Sequence, residues 1–167
     1  GEGIDTLVLD NNAANQMVLR GVEKLTLTKT AANANVINSA DSAIAVTVEA
    51  GNAATPTTLA SITGLTSGST VTVNDSKDAT GGVQALTVGY KDLEAAATID
   101  VNSVKAATGA VTITNVTAAT IDFAKDASFT AGGISAANTK SLTITGADAV
   151  STGVITAANI ETVSATA

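Results

Sequence analysis

The sequence predicts an all-β chain wound as an irregular parallel β-solenoid, or β-helix. Three observations carry that expectation. Short segments alternate an aliphatic residue with threonine, Gly, Asn, Asp and Ser gather between these segments, and related phrases recur about 21 residues apart. A period of two puts the aliphatic side chains on one face of a strand and threonine on the other, the pattern of a half-buried strand. A recurrence near 21 residues carrying two or three short strands suits one coil of a solenoid, where each strand pairs with its equivalent in the next coil. An immunoglobulin-like β-sandwich is the alternative, because its strands recur about every 8 to 12 residues. The offsets and the absence of Trp from the chain favour the solenoid.

Taken in order, a strand is expected from Asp5 to Leu9. Alternating segments follow at Leu25-Thr26-Leu27-Thr28, Val46-Thr47-Val48, Val71-Thr72-Val73, Leu86-Thr87-Val88, Val111-Thr112-Ile113-Thr114 and Leu142-Thr143-Ile144-Thr145. Turn residues punctuate them at Asn11-Asn12, Gly51-Asn52, Ser67-Gly68, Asn74-Asp75-Ser76, Gly81-Gly82 and Gly132-Gly133. Helical spacing is weak throughout. Its best candidate is Tyr90 to Ala97, one or two turns at most, with no capping box before it.

Three pairs of segments define the repeat. Leu25-Thr26-Leu27 matches Val46-Thr47-Val48 at an offset of 21, and the segment from Ile134 matches that from Ile155 at 21. Ala97-Thr98-Ile99-Asp100 matches Ala119-Thr120-Ile121-Asp122 at 22. Other intervals are uneven: Val71 to Leu86 is 15 and Val111 to Leu142 is 31, so coil lengths must vary. Residues 1–167 read as a single β-rich segment of a longer surface protein.

Composition narrows the chemistry. The 167 residues hold 8 Lys and Arg against 15 Asp and Glu, a net charge of -7, with no His and no Cys. Imidazole general bases, thiol nucleophiles and the usual zinc, haem and iron-sulfur ligands are therefore excluded. A carboxylate pair on a β-helix could process sugars, but such clefts need aromatic platforms, and only Tyr90, Phe123 and Phe129 are aromatic. The chain is not expected to be an enzyme. Sparse cations and an overall acidic charge argue against nucleic acid, and no apolar run approaches the length of a membrane span.

Gly1-Glu2-Gly3-Ile4-Asp5-Thr6-Leu7-Val8 reads G-x-G-x-D-x-L-x, the RTX nonapeptide without its first glycine. In that motif glycines allow tight turns whose carbonyls point inward and the Asp carboxylate completes an oxygen cage for a hard cation. Gly1, Gly3 and Asp5 are thus candidate Ca²⁺ ligands, and residues 1–9 the end of an RTX repeat; a structural turn leading into the first strand needs no metal. Asn74, Asp75 and Asp78 bring several oxygens together in a second candidate loop, with a solvated turn as the other reading. Asp100 and Asp122 would stack one rung apart in a solenoid, screened by water or bridged by a cation.

The RTX end followed by Thr- and Ala-rich strands, with phrases such as Val22-Glu23-Lys24-Leu25-Thr26-Leu27-Thr28 and Asn159-Ile160-Glu161-Thr162-Val163-Ser164-Ala165-Thr166, resembles bacterial surface-layer (S-layer) proteins exported by type I secretion, including the Caulobacter type. That resemblance implies a secreted, self-assembling structural protein at the bacterial cell surface, with β-rich solenoid regions and Ca²⁺ for folding and lattice assembly. Its partners would be other copies of itself, and cell-surface polysaccharide through regions outside this segment. Repeated G-G-x-G-x-D units, which the family carries, are absent here. An RTX-type adhesin module that binds a ligand is the rival reading. An ice-binding solenoid is a lesser one, because the Thr-x-Thr triplets starting at Thr26, Thr70, Thr112 and Thr143 fall at uneven intervals. An edge strand at either end would offer unpaired backbone groups to a neighbour.

Overall fold

The computed structural model describes residues 3–10, 15–28, 33–39, 42–49, 60–74, 86–102, 110–123, 133–146 and 152–166. Among them are thirteen strands and no helix: β1 (Thr6–Asp10), β2 (Asn15–Leu19), β3 (Lys24–Thr28), β4 (Asn33–Ser39), β5 (Ala45–Glu49), β6 (Ala60–Leu65), β7 (Thr70–Asn74), β8 (Leu86–Asn102), β9 (Ala110–Phe123), β10 (Gly133–Ala136), β11 (Ser141–Gly146), β12 (Ile155–Thr156) and β13 (Thr162–Thr166). Every strand pair among the described residues is parallel. The chain is a β-solenoid, and the sandwich alternative, built on antiparallel sheets, is set aside.

The strands form two ladders. One runs β1, β3, β5, β7, the second half of β8, the second half of β9, β11 and β13; the other runs β2, β4, β6, the first half of β8, the first half of β9, β10 and β12. Each coil contributes one strand to each ladder. This explains the uneven intervals in the sequence, because Val71 and Leu86 belong to different ladders, as do Val111 and Leu142. Followed along one ladder, Leu7, Leu25, Val46, Val71, Ile99, Ile121, Ile144 and Ala165 are register partners in an unbroken column, with spacings between 18 and 28 residues. The three repeat pairs stack as expected: Leu25 on Val46, Ala97 on Ala119, Ile134 on Ile155.

Burial follows the alternation. In β3, β5 and β7 the aliphatic positions are buried and the threonines between them only partly so. Facing columns, such as Ile62, Val88, Ile113 and Ala136 on the second ladder, complete one core of aliphatic side chains with Tyr90 and Phe123. Parallel strands lie about 4.8 Å apart, so each buried side chain packs on its equivalent one rung away.

Tyr90 to Ala97 lies within β8 and is not helical. There β8 carries three more residues than β9 between Gly89, partner of Thr114, and Glu94, partner of Val116. The extra residues form a bulge that leaves Lys91, Asp92 and Leu93 exposed. β9 crosses from one ladder to the other at Asn115, whose φ of 60° is a left-handed conformation that asparagine tolerates better than most residues. Its Nδ2 donates to the Tyr90 carbonyl at 2.8 Å, fastening this corner to the adjacent coil. The two buried polar side chains among the described residues are both satisfied. Ser69 Oγ accepts from the Ile44 N–H at 3.0 Å, and Thr139 Oγ1 donates to the Val116 carbonyl at 3.0 Å.

Candidate functional site

The chemistry-bearing side chains lie on the outer face of the first ladder and on the coil preceding β1. Asp5 precedes β1, one residue later than the strand start expected from the sequence. Its carbonyl accepts from the backbone N–H groups of Glu23 at 3.2 Å and Lys24 at 3.1 Å, and its own N–H donates to Glu23 Oε2 at 2.8 Å. The residue therefore staples the first coil to the second through its backbone. Gly3 is exposed at a bend, and a Cβ built there would meet nothing within 4 Å. Gly1 lies outside the described residues. What the structure describes of this motif is a bend at Gly3 and an Asp5 backbone tied to the next coil.

Asn74 ends β7 and donates from Nδ2 to Glu49 Oε1 at 2.7 Å, joining two rungs. Asp75 and Asp78 lie outside the described residues. Among the described residues, no three Asp or Glu side chains come together in a group that could hold a metal ion.

Asp100 and Asp122 are register partners, as the repeated Ala-Thr-Ile-Asp phrase predicts. The rungs on either side supply hydroxyl donors. Thr72 Oγ1 approaches Asp100 Oδ2 at 3.5 Å, and Thr145 Oγ1 donates to Asp122 Oδ1 at 2.7 Å. The two carboxylates thus sit in the middle of a hydroxyl column, Thr26, Thr47 and Thr72 on one side and Thr145 and Thr166 on the other. The adjacent outward column sets Thr98, Thr120, Thr143 and Ser164 in register. These ranks could not be read from the intervals between Thr-x-Thr triplets, because coil length varies and Thr112 belongs to the other ladder.

Lys140 Nζ and Glu161 Oε1 form an ion pair at 3.0 Å that also joins neighbouring coils and is largely exposed. Such pairs contribute about 0 to 1 kcal/mol and are weakened by salt.

Parallel coils, an aliphatic interior and ranks of short polar side chains outside define a β-solenoid whose surface chemistry repeats from rung to rung. No family model, no curated protein and no solved structure matches the chain.

Proposed function

We propose that this chain is a structural component of a bacterial surface layer, a segment of a secreted protein that assembles with its own copies into an extracellular lattice, with Ca²⁺ required by the full-length protein. The observation that carries the reading is the unbroken column from Leu7 to Ala165, flanked outside by columns made mostly of Thr, with Ser164 in one and the Asp100 and Asp122 pair in the other. Sequence and packing are spent on one continuous stack with a hydrated flank, which suits a building element and supplies no imidazole or thiol for covalent chemistry. The proposed partners are other copies of the same protein and, through regions outside this segment, cell-surface polysaccharide. Neither nucleic acid nor membrane insertion forms part of the reading; no helix among the described residues is long and apolar enough to cross a membrane. Electron microscopy and particle sizing of the full-length protein across a Ca²⁺ titration test it. Ordered sheets that form on Ca²⁺ addition and dissolve with chelator are expected, and dispersed monomers at every Ca²⁺ level overturn it.

A further inference from the structure

We infer that the outer face of the first ladder, from the second half of β8 to β13, is a binding surface for ice. The inference does not rest on the surface-layer reading. Its first observation is a two-dimensional grid. One outward column sets Thr98, Thr120, Thr143 and Ser164 on consecutive rungs, and the column beside it sets Ala96, Ala118, Ser141 and Thr162. Strands in a sheet lie about 4.8 Å apart, and alternate residues along a strand about 6.6 Å apart. Hexagonal ice exposes crystal planes on which oxygen atoms repeat at close to these two spacings. Hydroxyls on such a grid donate and accept as water does, so several of them take the places of lattice waters at once. The uneven Thr-x-Thr intervals of the sequence do not break the grid. Thr98, Thr120, Thr143 and Ser164 stand 22, 23 and 21 residues apart in the chain, yet register places them on adjacent rungs.

The second observation is that the face is short, level and held from beneath. Exposed positions of a folded protein are ordinarily rich in Lys and Glu. Here the two columns carry only Ala, Ser and Thr over four rungs, and no charge. The third column holds Asp100, Asp122, Thr145 and Thr166, so the carboxylates leave the first two columns uncharged. Between the outward residues, Ala97, Ile99, Ala119, Ile121, Leu142 and Ile144 are buried, which seats each strand firmly on the core. Threonine is stiff at χ1, so its hydroxyl is set in place before anything binds and little entropy is lost when it does.

The same face is poorly made for other occupants. A protein partner is held chiefly by aromatic and Arg anchors, and a glycan by aromatic platforms. Neither residue type occurs in these columns. A lattice of water needs no anchor, because it is matched at every grid point by one hydroxyl of the same chemistry.

Cryomicroscopy of single ice crystals grown in a solution of the 167-residue chain tests the inference, together with partition of the chain into slowly growing ice. The wild type is expected to facet the crystal, to open a gap between its melting and freezing points, and to enrich in the ice. Thr143→Lys, inside the grid, is expected to abolish all three effects, and Thr98→Lys, at an exposed position, to repeat the loss; circular dichroism is expected to retain the β signal in both. Ser135→Lys, at an exposed position on the other ladder, is expected to leave the activity intact. Asp100→Thr combined with Asp122→Thr carries the uncharged grid into the third column and is expected to widen the gap. Round crystals and exclusion of the wild type from ice overturn the inference, as does activity that appears only once both Asp residues are replaced. Activity that survives both lysine substitutions on the first ladder overturns the assignment to this face. Formation of sheets with Ca²⁺ is a separate measurement, so failure here leaves the surface-layer reading standing, and the reverse holds equally.

Discussion

Gly89 offers a direct test of the rung register. It is buried in β8, in register with Thr114 of the next coil. A Cβ built on it would lie 2.5 Å from Thr114 Oγ1 and 3.3 Å from Thr63 Cγ2. Ordinary van der Waals contact begins near 3.4 Å, so the first approach is too close by about 0.9 Å. The obstructing atom sits on a short β-branched side chain with few rotamers to escape into. Gly89→Ala is therefore expected to destabilise by about 1 to 3 kcal/mol, the usual cost of overpacking, despite alanine's smaller loss of backbone entropy. Thr114→Ala deletes the obstructing oxygen from a partly buried position and is expected to cost no more than about 1 kcal/mol alone. Combined, the two substitutions should be less damaging than their sum by about 1 to 2 kcal/mol, because the first no longer meets the group that made it costly. Urea unfolding of the four proteins measures this coupling. Additivity within about 0.5 kcal/mol would show that positions 89 and 114 are not neighbours, and the register of the two longest strands would be wrong.

Three further outcomes follow from the same geometry. Ile121→Ala, in mid-column and fully buried, should cost about 2 to 5 kcal/mol in chemical denaturation, whereas Val163→Ala on the half-exposed last rung should cost under about 1 kcal/mol; equal costs would contradict a stacked core. Asn115→Ala should lose about 1 to 3 kcal/mol from the left-handed backbone and the bond to the Tyr90 carbonyl together, and Asn115→Gly should recover the backbone share, so a glycine variant no better than alanine refutes the strain argument. Asp100→Asn relieves a like-charge cross-strand pair and is expected to stabilise by about 0.2 to 1 kcal/mol at low salt, a gain that shrinks as salt is added; a loss of stability in its place would mean that the paired carboxylates hold something together.

The first ladder was legible in the sequence and the second much less so, for a physical reason. β3, β5, β7 and β11 expose one face and write it out as aliphatic-threonine alternation, so their period of two is plain. β2, β4 and β6 read Asn-Gln-Met-Val-Leu, Asn-Ala-Asn-Val-Ile-Asn-Ser and Ala-Ser-Ile-Thr-Gly-Leu, with the alternation blurred by small and amide side chains. Their pairing is set by the coils on either side. The 21- and 22-residue offsets were visible because coil lengths agree in those places, and were masked where the bulge in β8 adds residues. Of the candidate ligands, Asp100 and Asp122 are placed together as the repeated phrase implies. Asp5 and Asn74 instead tie neighbouring coils, roles that spacing alone does not reveal, since Asp5 acts through its backbone and Asn74 through Glu49 on the preceding rung.

A parallel in-register stack also explains why so plain a composition is enough. Each column repeats one environment, so a buried position asks for a medium-sized aliphatic side chain on every rung, and the column from Leu7 to Ala165 meets that with Leu, Val, Ile and finally Ala. One of the two buried aromatics among the described residues sits where the coil departs from the repeat: Tyr90 lies beside the β8 bulge, and its hydroxyl donates to the Ser69 carbonyl at 2.6 Å. Outside, repetition makes any side-chain property collective. Threonines on successive rungs form a hydroxyl rank, and a single Asp duplicated by the repeat becomes a pair of carboxylates on neighbouring rungs, whose strands lie about 4.8 Å apart. That pair persists in the middle of the stack, where the rungs above and below each turn a threonine hydroxyl toward it. The Thr145 hydroxyl, at 2.7 Å, satisfies an acceptor lone pair of Asp122 that would otherwise rely on water, while Thr72 stands off from Asp100 at 3.5 Å. Replacing Thr145 by Val should therefore cost more than replacing Thr143, whose outward column contains no carboxylate, and thermal unfolding of the two variants measures the difference. Equal costs would mean that Asp122 relies on solvent alone.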